Sequence, residues 1–447
     1  MSGMKEQNNA QLLNFRAIMA VGVGCVIGSG IVAITGSAIG VTGRSVWIAY
    51  AAAVILGLVC ITPFVILGSV LKLKGGDYSM AFLLLGRRYA GVFIYNFIIM
   101  NLALALTAKS IGIYVKSLFP WVNETAVSVI GLTLFFVINL FGIKFMSNLQ
   151  QVMTAVMLAG FATFCIGGFM NLNDGAFTFS RPDYFLNGFK GVQSAMVMLV
   201  FFTTTVQTLL CLGGNAQNPK KDIPKAIVCT MGIVLIAYVS IAFVAGNVLP
   251  VEEVAFKPLT YVADQVLSKP LFIFFVIGGP IGAICTTLNA MFSVASKPLK
   301  QATDDGWFPE AYGKLNRYGE PCFIMLGLYL VALVPLVLNL DVATITNNIV
   351  LIQYTVKFFL VFAAWRMPKK FPEQWKQSGL YMPAWLFHTI MVTVLLVHVY
   401  IVAVAASNLS VTLVGVTIGL LVLATVIAVL RDKSGKVKAV IDEEDYI

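Results

Sequence analysis

The stretch GVGCVIGSGIVAITGSA, residues 22–38, sets the interpretation of the whole chain. It belongs to an apolar run that is long enough to cross a membrane, but five of its 17 residues are glycines. Each glycine inside a helix costs about 1 kcal/mol relative to alanine. A membrane-crossing helix that carries so many glycines is expected to need them, either for an interruption of the helix or for close packing.

Composition supports a membrane environment for this stretch. Of the 447 residues, 59% are hydrophobic and only 11% are charged, whereas a soluble globular domain carries about 25% charged residues. The chain therefore has too little polar surface for water, and we expect an all-α integral membrane protein. The net charge of +10 then reflects membrane topology, and no nucleic-acid partner is indicated.

Apolar segments of roughly 20 residues, the length that spans a bilayer, occur about twelve times, with short polar connections. They lie near residues 15–41, 46–71, 89–115, 124–143, 150–171, 187–213, 224–248, 270–296, 322–340, 343–365, 382–405 and 410–430. Residues 1–14 are hydrophilic, and no short apolar core with a small-residue cleavage site follows them, so no cleavable signal peptide is expected. The sequence predicts a multi-pass protein with twelve transmembrane helices.

Lysine and arginine predict the orientation of these helices. Most of the 30 basic residues fall on one set of connections, together with both termini. Since cytoplasmic loops carry the excess of lysine and arginine, we expect residues 1–14 and 432–447 to be cytoplasmic and the protein to lie in the cell membrane. The seven cysteines are irregularly spaced in or near apolar spans, which suggests neither a disulfide framework nor a metal site.

The unit Gly28–Gly30 lies about halfway along the first apolar span. Two glycines around a serine allow a helix to unwind, and unwound backbone inside a membrane is tolerated only where protein or a water-filled cavity satisfies it. Such broken helices form the substrate sites of many secondary transporters, because the N-terminal end of the outer half-helix favours an anion such as a carboxylate. The alternative is that small residues merely let helices pack closely.

A second irregular segment is expected about 170 residues later if the chain contains an inverted repeat. The sixth span contains three consecutive threonines, Thr203–Thr205, followed by Gln207 and Thr208. A threonine in a membrane helix often bonds back to its own helix, which is the alternative interpretation. Three in a row with a glutamine favour the wall of a polar cavity.

Four motifs in order resemble the amino acid–polyamine–organocation transporter superfamily. They are GSGI at residues 28–31, KLKGGDYSM at 72–80, GGNAQNPKKDIPKAI at 213–227 and the run from 288 to 321 that contains DDGWFP. The resemblance covers roughly residues 15–370. It implies a five-plus-five inverted repeat, the LeuT-like fold, with discontinuous helices one and six. The implied units are repeat one at 15–185, repeat two at 186–370 and two peripheral helices at 380–431.

The resemblance also implies a substrate with an amino-acid backbone, bound between the two helix breaks. Ser29 and Gly30 would hold its carboxylate, a carbonyl of Val26 would accept its amine, and Phe201 would stand where the family often has an aromatic lid. Many members have a glycine at the second break, where this chain has Thr205, so unwinding there is less strongly implied. The full set of implied substrate contacts is Val26, Gly28, Ser29, Gly30, Phe201, Thr203, Thr204, Met291 and Gln353.

Two lysines fall inside apolar spans, Lys109 in the third and Lys357 in the tenth. A charge within a span is costly and is a functional hypothesis by default, although either lysine could extend its ammonium to the membrane surface. No Asp or Glu occupies the middle of a span, so we expect no carboxylate to offset Lys357. It would then pair with an acidic substrate, or titrate and couple transport to protons.

The chain is expected to be a secondary transporter of an amino acid that works by alternating access. An enzyme would need a nucleophile with a base or a metal cluster, and the chain has two histidines in one helix and no clustered acids. A neutral zwitterion is slightly favoured as substrate. The alternatives are an exchanger of an acidic amino acid or its decarboxylation product, and an amino-acid sensor that does not transport. Membrane lipid is the other partner, no cofactor is expected, and protein partners are not indicated.

Overall fold

The computed structural model describes residues 12–338, 342–407, 409–438 and 446. Within them the chain is helical, and no strand is assigned. In chain order the α-helices are α1 Phe15–Val26, α2 Ser29–Thr42, α3 Val46–Val70, α4 Asp77–Leu85, α5 Arg87–Met100, α6 Ala103–Leu118, α7 Glu124–Asn139, α8 Ile143–Phe169, α9 Gly188–Thr203, α10 Pro219–Asn247, α11 Val251–Val254, α12 Leu259–Val266, α13 Lys269–Val276, α14 Gly282–Asp304, α15 Cys322–Val337, α16 Val342–Lys370, α17 Pro372–Gln377, α18 Ala384–Ser407 and α19 Val411–Lys433.

Within the described residues, each predicted apolar span overlaps one or two α-helices. Ten helical stretches in the described residues are long and apolar enough to cross a membrane, and α7 and α15 are two shorter apolar helices of 16 residues each. The chain is therefore an all-α, multi-pass membrane protein. The exact number of crossings and the inverted repeat stay predictions. Of the predicted terminal segments 1–14 and 432–447, residues 1–11, 439–445 and 447 lie outside the described residues.

Burial separates central from peripheral helices. In the span Phe15–Val32, 82% of residues are buried, whereas the corresponding value is 28% for α18 and 17% for α19. Helix α1 packs against α8, α10 and α14. The glycine-rich segment that begins the chain's membrane region is therefore at the centre of the molecule, where no lipid can reach it.

Four of the spans are irregular. The first is interrupted at Ile27 and Gly28, the third at Asn101 and Leu102, and the sixth changes from α-helix to a 3-10 helix at Thr204–Leu212. The eighth contains a π-helical turn at Ile277–Ile281. The sequence predicts the irregularities in the first and sixth spans. Those in the third and eighth spans were not predicted.

An ion pair fixes the α2–α3 junction to the long loop that precedes α9. The guanidinium of Arg44, 1% exposed, lies 2.7 Å from a carboxylate oxygen of Asp183. Arg181 contacts the other oxygen of the same carboxylate at 3.0 Å. Arg44 thus has an anionic partner at a position where an unpaired charge would be costly.

Candidate functional site

The interruption between α1 and α2 leaves three carbonyls at the end of α1 that accept side-chain hydroxyls from other helices. Thr287 donates to the carbonyl of Gly24 at 2.6 Å, Thr205 to that of Cys25 at 3.1 Å, and Tyr238 to that of Val26. Backbone freed inside a membrane must find such partners. The broken segment is therefore held by α10, α14 and the 3-10 extension of α9.

The glycines of this segment are packed closely. A Cβ atom on Gly28 would lie 1.8 Å from the hydroxyl of Thr287, and one on Gly30 would lie 2.6 Å from the Cβ of Phe202. Close helix packing, one of the two roles considered for these glycines, thus requires glycine at both positions. The helix is also interrupted here, so the glycines serve both roles.

Helix α2 starts at the interruption with Gly28 as its N-cap, and no side chain caps it. The first N–H groups of a helix have no partner within their own helix, and they favour an anion. This is the geometry that the carboxylate prediction for Gly30 requires. The side chain of Ser29 lies outside the described part of the structure.

The threonine run divides between two environments. Thr203 and Thr204 are buried and donate to carbonyls of their own helix, at Val200 and Phe201. Thr204 also hydrogen-bonds to the hydroxyl of Tyr354 at 3.1 Å. Thr205 faces the end of α1 and lines a cavity. Of the predicted polar run, Thr205, Gln207 and Thr208 line the cavity, whereas Thr203 and Thr204 do not.

An internal cavity of about 90 Å³ lies beside the interruption of α1 and the 3-10 segment. Its walls come from α1, α4, α5, α6, α9, α14, α16 and the 3-10 segment. This volume is well above the roughly 10–15 Å³ that a single water needs, so the cavity can admit a small ligand. The lining residues are Cys25, Asp77, Phe97, Met100, Asn101, Ala103, Phe201, Thr205, Gln207, Thr208, Cys211, Met291, Val294, Ala295, Gln353 and Lys357.

Two opposite charges line this cavity, Asp77 at the start of α4 and Lys357 in α16. The amide nitrogen of Gln207 donates to both carboxylate oxygens of Asp77, at 2.7 and 2.8 Å. The expectation that no carboxylate offsets Lys357 is therefore wrong. Its cause is that Asp77 belongs to a segment between apolar spans, which the fold brings into the interior.

Of the predicted substrate contacts, Phe201, Met291 and Gln353 line the cavity, together with Lys357, for which the sequence predicts a coupling or charge-sensing role. The others, Val26, Gly28, Gly30, Thr203 and Thr204, are not among its lining residues. Lys109 is 9% exposed and also lies away from it. The structure thus brings three of the nine predicted substrate contacts to the cavity, whereas Val26, Gly28 and Gly30 lie at the adjoining helix break and Thr203 and Thr204 bond to their own helix.

Sequence reasoning missed Asp77, Asn101 and the tyrosine that holds the break, Tyr238. The motif KLKGGDYSM contains Asp77, but its place between two apolar spans gives no sign that the carboxylate enters the interior. Tyr238 is fully buried in α10. A buried tyrosine hydroxyl usually has a hydrogen-bond partner, and this is the signal that could have linked α10 to the unsatisfied carbonyls of α1.

The family model described as amino acid permease matches residues 13–430. The transporter YdgF of Bacillus subtilis is 24% identical over 437 residues, which cover 92% of this chain and 93% of YdgF. The amino acid permease YvbW of the same organism is 22% identical, over 96% of this chain and 99% of YvbW. Amino-acid permease AapA, also from B. subtilis, is 28% identical over 67% of this chain and 68% of AapA. The family match covers nearly the whole helical region, and the chain belongs to the amino acid permease family, as a transporter and not an enzyme.

Proposed function

We propose that the chain is a secondary carrier that moves a small neutral amino acid across the cell membrane by alternating access, with both termini in the cytoplasm. The observation that carries the proposal is that Asp77 and Lys357, side chains of opposite charge, line the same cavity. A substrate with a net charge would leave one buried charge uncompensated, which is costly. A zwitterion adds no net charge to such a space.

The helix break supplies the second part of the proposal. The substrate carboxylate would bind the free N–H groups at the start of α2, as the sequence predicts for Ser29 and Gly30. Its remaining atoms would extend past Phe201 into the cavity, towards Met291 and Gln353. The small volume of the cavity favours a short side chain. A proton as the coupling ion remains part of the proposal, since Asp77 and Lys357 are both titratable.

The acidic-substrate alternative depends on Lys357 acting as an unopposed cation, and Asp77 weakens it. Changing the two charges one at a time and then together tests this. Proteoliposome uptake of alanine and glutamate is measured from pH 5.5 to 8 in wild type, Asp77→Asn, Lys357→Met and the double variant. We expect alanine to be preferred by wild type, each single variant to lose most alanine uptake, and Asp77→Asn to shift selectivity towards glutamate.

The double variant Asp77→Asn/Lys357→Met decides between the alternatives, because it removes both charges and so leaves the net charge of the cavity unchanged. We expect it to recover more alanine uptake than either single variant. The proposal is contradicted if wild type prefers glutamate. It is also contradicted if the alanine uptake of the double variant, relative to wild type, equals the product of the relative uptakes of the two single variants. Binding of alanine without any uptake would instead identify a sensor.

A further inference from the structure

A basic cleft opens on the surface of the protein, away from the cavity. It has a volume of about 510 Å³ and lies between α3, the first turns of α10 and the loop that follows α17. Its lining residues are Val65, Ser69, Lys220, Lys221, Pro224, Lys225, Val228, Gln377, Ser378, Gly379 and Leu380. Three lysines line it, and no Asp or Glu of the described chain does.

The lysines of this cleft are available for an anion. None of Lys220, Lys221 and Lys225 takes part in an ion pair that the described residues form. Lys225 lies over the ring of Phe15, with its ammonium 5.2 Å from the ring centre, which leaves its hydrogen-bond donors unused because a ring face accepts none. Three cations without a carboxylate favour an anionic ligand.

Helix α10 continues from this cleft into an exposed apolar stripe. Residues three or four apart share a helix face, and Lys221 and Lys225 are followed on their face by Val228, Gly232 and Ile236. Val228 is 51% exposed and Ile236 is 71% exposed. Nothing lies within 4 Å of a Cβ built on Gly232. The stripe on this membrane helix therefore meets lipid, with a shallow gap at Gly232.

The neighbouring helix α3 repeats this arrangement. Its residues Ser69 and Val65 line the cleft, and Leu58 and Ile55 continue the same face with exposed fractions of 37% and 58%. Helices α3 and α10 pack extensively against each other. A polar, basic end thus leads into an apolar groove between two membrane helices, which is the chemical profile of a phospholipid with a charged headgroup and an acyl chain.

We propose that this cleft binds an anionic phospholipid, with the phosphate at Lys221 and Lys225 and an acyl chain along Val228, Gly232 and Ile236. It lies at the end of α10 that the distribution of basic residues predicts to be cytoplasmic. Basic pockets between helices on that side attract anionic headgroups, and each lysine near the surface contributes about 1 kcal/mol, or about fivefold in affinity. The site is separate from the proposed substrate cavity, and its occupancy is measured without substrate.

The test is lipid titration of the purified, detergent-solubilised protein, followed by native mass spectrometry. Dioleoyl phosphatidylglycerol is compared with dioleoyl phosphatidylcholine, which has the same acyl chains and no net charge, and with soluble glycerol 3-phosphate. Wild type is expected to retain phosphatidylglycerol selectively. The variant Lys221→Gln/Lys225→Gln should bind it about 25-fold more weakly, at about fivefold for each lysine.

Two further variants separate charge from shape. Lys144→Gln removes an exposed lysine at the start of α8, on the same membrane side but outside the cleft, and should change nothing. Gly232→Leu fills the gap in the stripe without altering charge, and should weaken phosphatidylglycerol but not glycerol 3-phosphate. Unfolding temperatures in lipid-free detergent verify that each variant is folded.

Three outcomes would overturn the proposal. Equal retention of phosphatidylcholine and phosphatidylglycerol would show that charge does not select the ligand. An effect of Lys144→Gln as large as that of the double variant would show a general surface potential. Glycerol 3-phosphate binding as tightly as the lipid, with Gly232→Leu silent, would identify a site for soluble phosphate.

Discussion

At the residue scale, adjacent hydroxyls of one threonine run have different neighbours. Thr205 donates to carbonyls of Cys25 and Phe202 and lines the cavity. Thr204 donates to the carbonyl of Phe201 and contacts Tyr354. The two side chains are the same chemically, so a comparison of their valine variants isolates the effect of the cavity.

We expect Thr205→Val to raise the KM for alanine about two- to tenfold, which corresponds to about 0.5–1.5 kcal/mol for one hydrogen bond. Thr204→Val should leave KM unchanged and lower the unfolding temperature, because it removes a buried partner of Tyr354. Uptake kinetics and thermal unfolding of the two variants measure both effects. If Thr204→Val changes KM more than Thr205→Val does, the cavity is not where substrate binds.

The different surroundings of Thr204 and Thr205 also show which features of single residues could be predicted from the sequence. Three threonines and a glutamine in an apolar span predict a polar wall, and of this run Thr205, Gln207 and Thr208 line the cavity. Which threonine forms it depends on where the α-helix tightens into a 3-10 helix, at Thr204. That change of helical pitch rotates every later side chain, and periodicity assumes a constant pitch.

At the element scale, the break between α1 and α2 depends on tertiary contacts. Gly28 faces Thr287, whose hydroxyl donates to the carbonyl of Gly24. Gly28 therefore combines the two roles that the sequence left as alternatives. It lies in the interruption between α1 and α2, and its missing side chain allows α14 to pack against that interruption. The position of the break was predictable from Gly28–Gly30, whereas the groups that fill it come from residues distant along the chain.

Substituting Gly28 by alanine tests this packing. The new Cβ would lie 1.8 Å from the Thr287 hydroxyl, and overpacking of this kind costs about 1–3 kcal/mol. We expect Gly28→Ala to lower the unfolding temperature clearly. The double variant Gly28→Ala/Thr287→Ala should recover part of that loss because it removes the contact with the hydroxyl, although the Cβ of residue 287 stays 2.8 Å from the new Cβ.

Gly232→Ala is the matched control for this prediction, since Gly232 is a helical glycine and a Cβ added to it would have no atom within 4 Å. It should be neutral or stabilising by up to about 1 kcal/mol, the helix propensity difference. If Gly28→Ala is equally harmless, the contact with Thr287 does not constrain the break.

At the scale of the whole molecule, the pair of Arg44 and Asp183 connects two distant parts of the chain. Partial burial raises the pKa of Asp183, but hydrogen bonds and positive charge from Arg44 and Arg181 outweigh this and hold the pKa below its usual range. The stabilisation is complete above the usual aspartate pKa of about 3.9. It is lost as the pH falls through the lower, folded-state pKa.

We expect the unfolding temperature of wild type to fall as the pH is lowered from 4 towards 2, and Asp183→Asn to show a smaller fall. At pH 7 this variant should lose about 1.5–3 kcal/mol, the contribution of hydrogen bonds to a charged group, because Arg44 stays buried. Asp174→Asn, a change in the same loop away from this ion pair, is the control. An Asp183→Asn variant with the pH profile of wild type would show that this pair does not tie the loop to the helices.

Sequence patterns predicted most of the architecture at this scale, because apolar length and glycine position depend on local residues. The cavity charges were not predictable in the same way. Asp77 lies in a connection between apolar spans, and its entry into the interior results from the short helix α4 packing on α16. A rule that searches only span centres for charge passes over such a residue.

Two of the cavity's lining residues, Cys25 and Cys211, carry free thiols. In the proposed alternating-access cycle, a small thiol-specific reagent reaches these two thiols only while the cavity is open to water, and a substrate that fills the cavity shields them. Because Cys229 is exposed, the native protein also reacts elsewhere. In a variant that keeps Cys25 and Cys211 and replaces the other five cysteines, the rate of alkylation would therefore report how often the cavity opens, even without a known substrate.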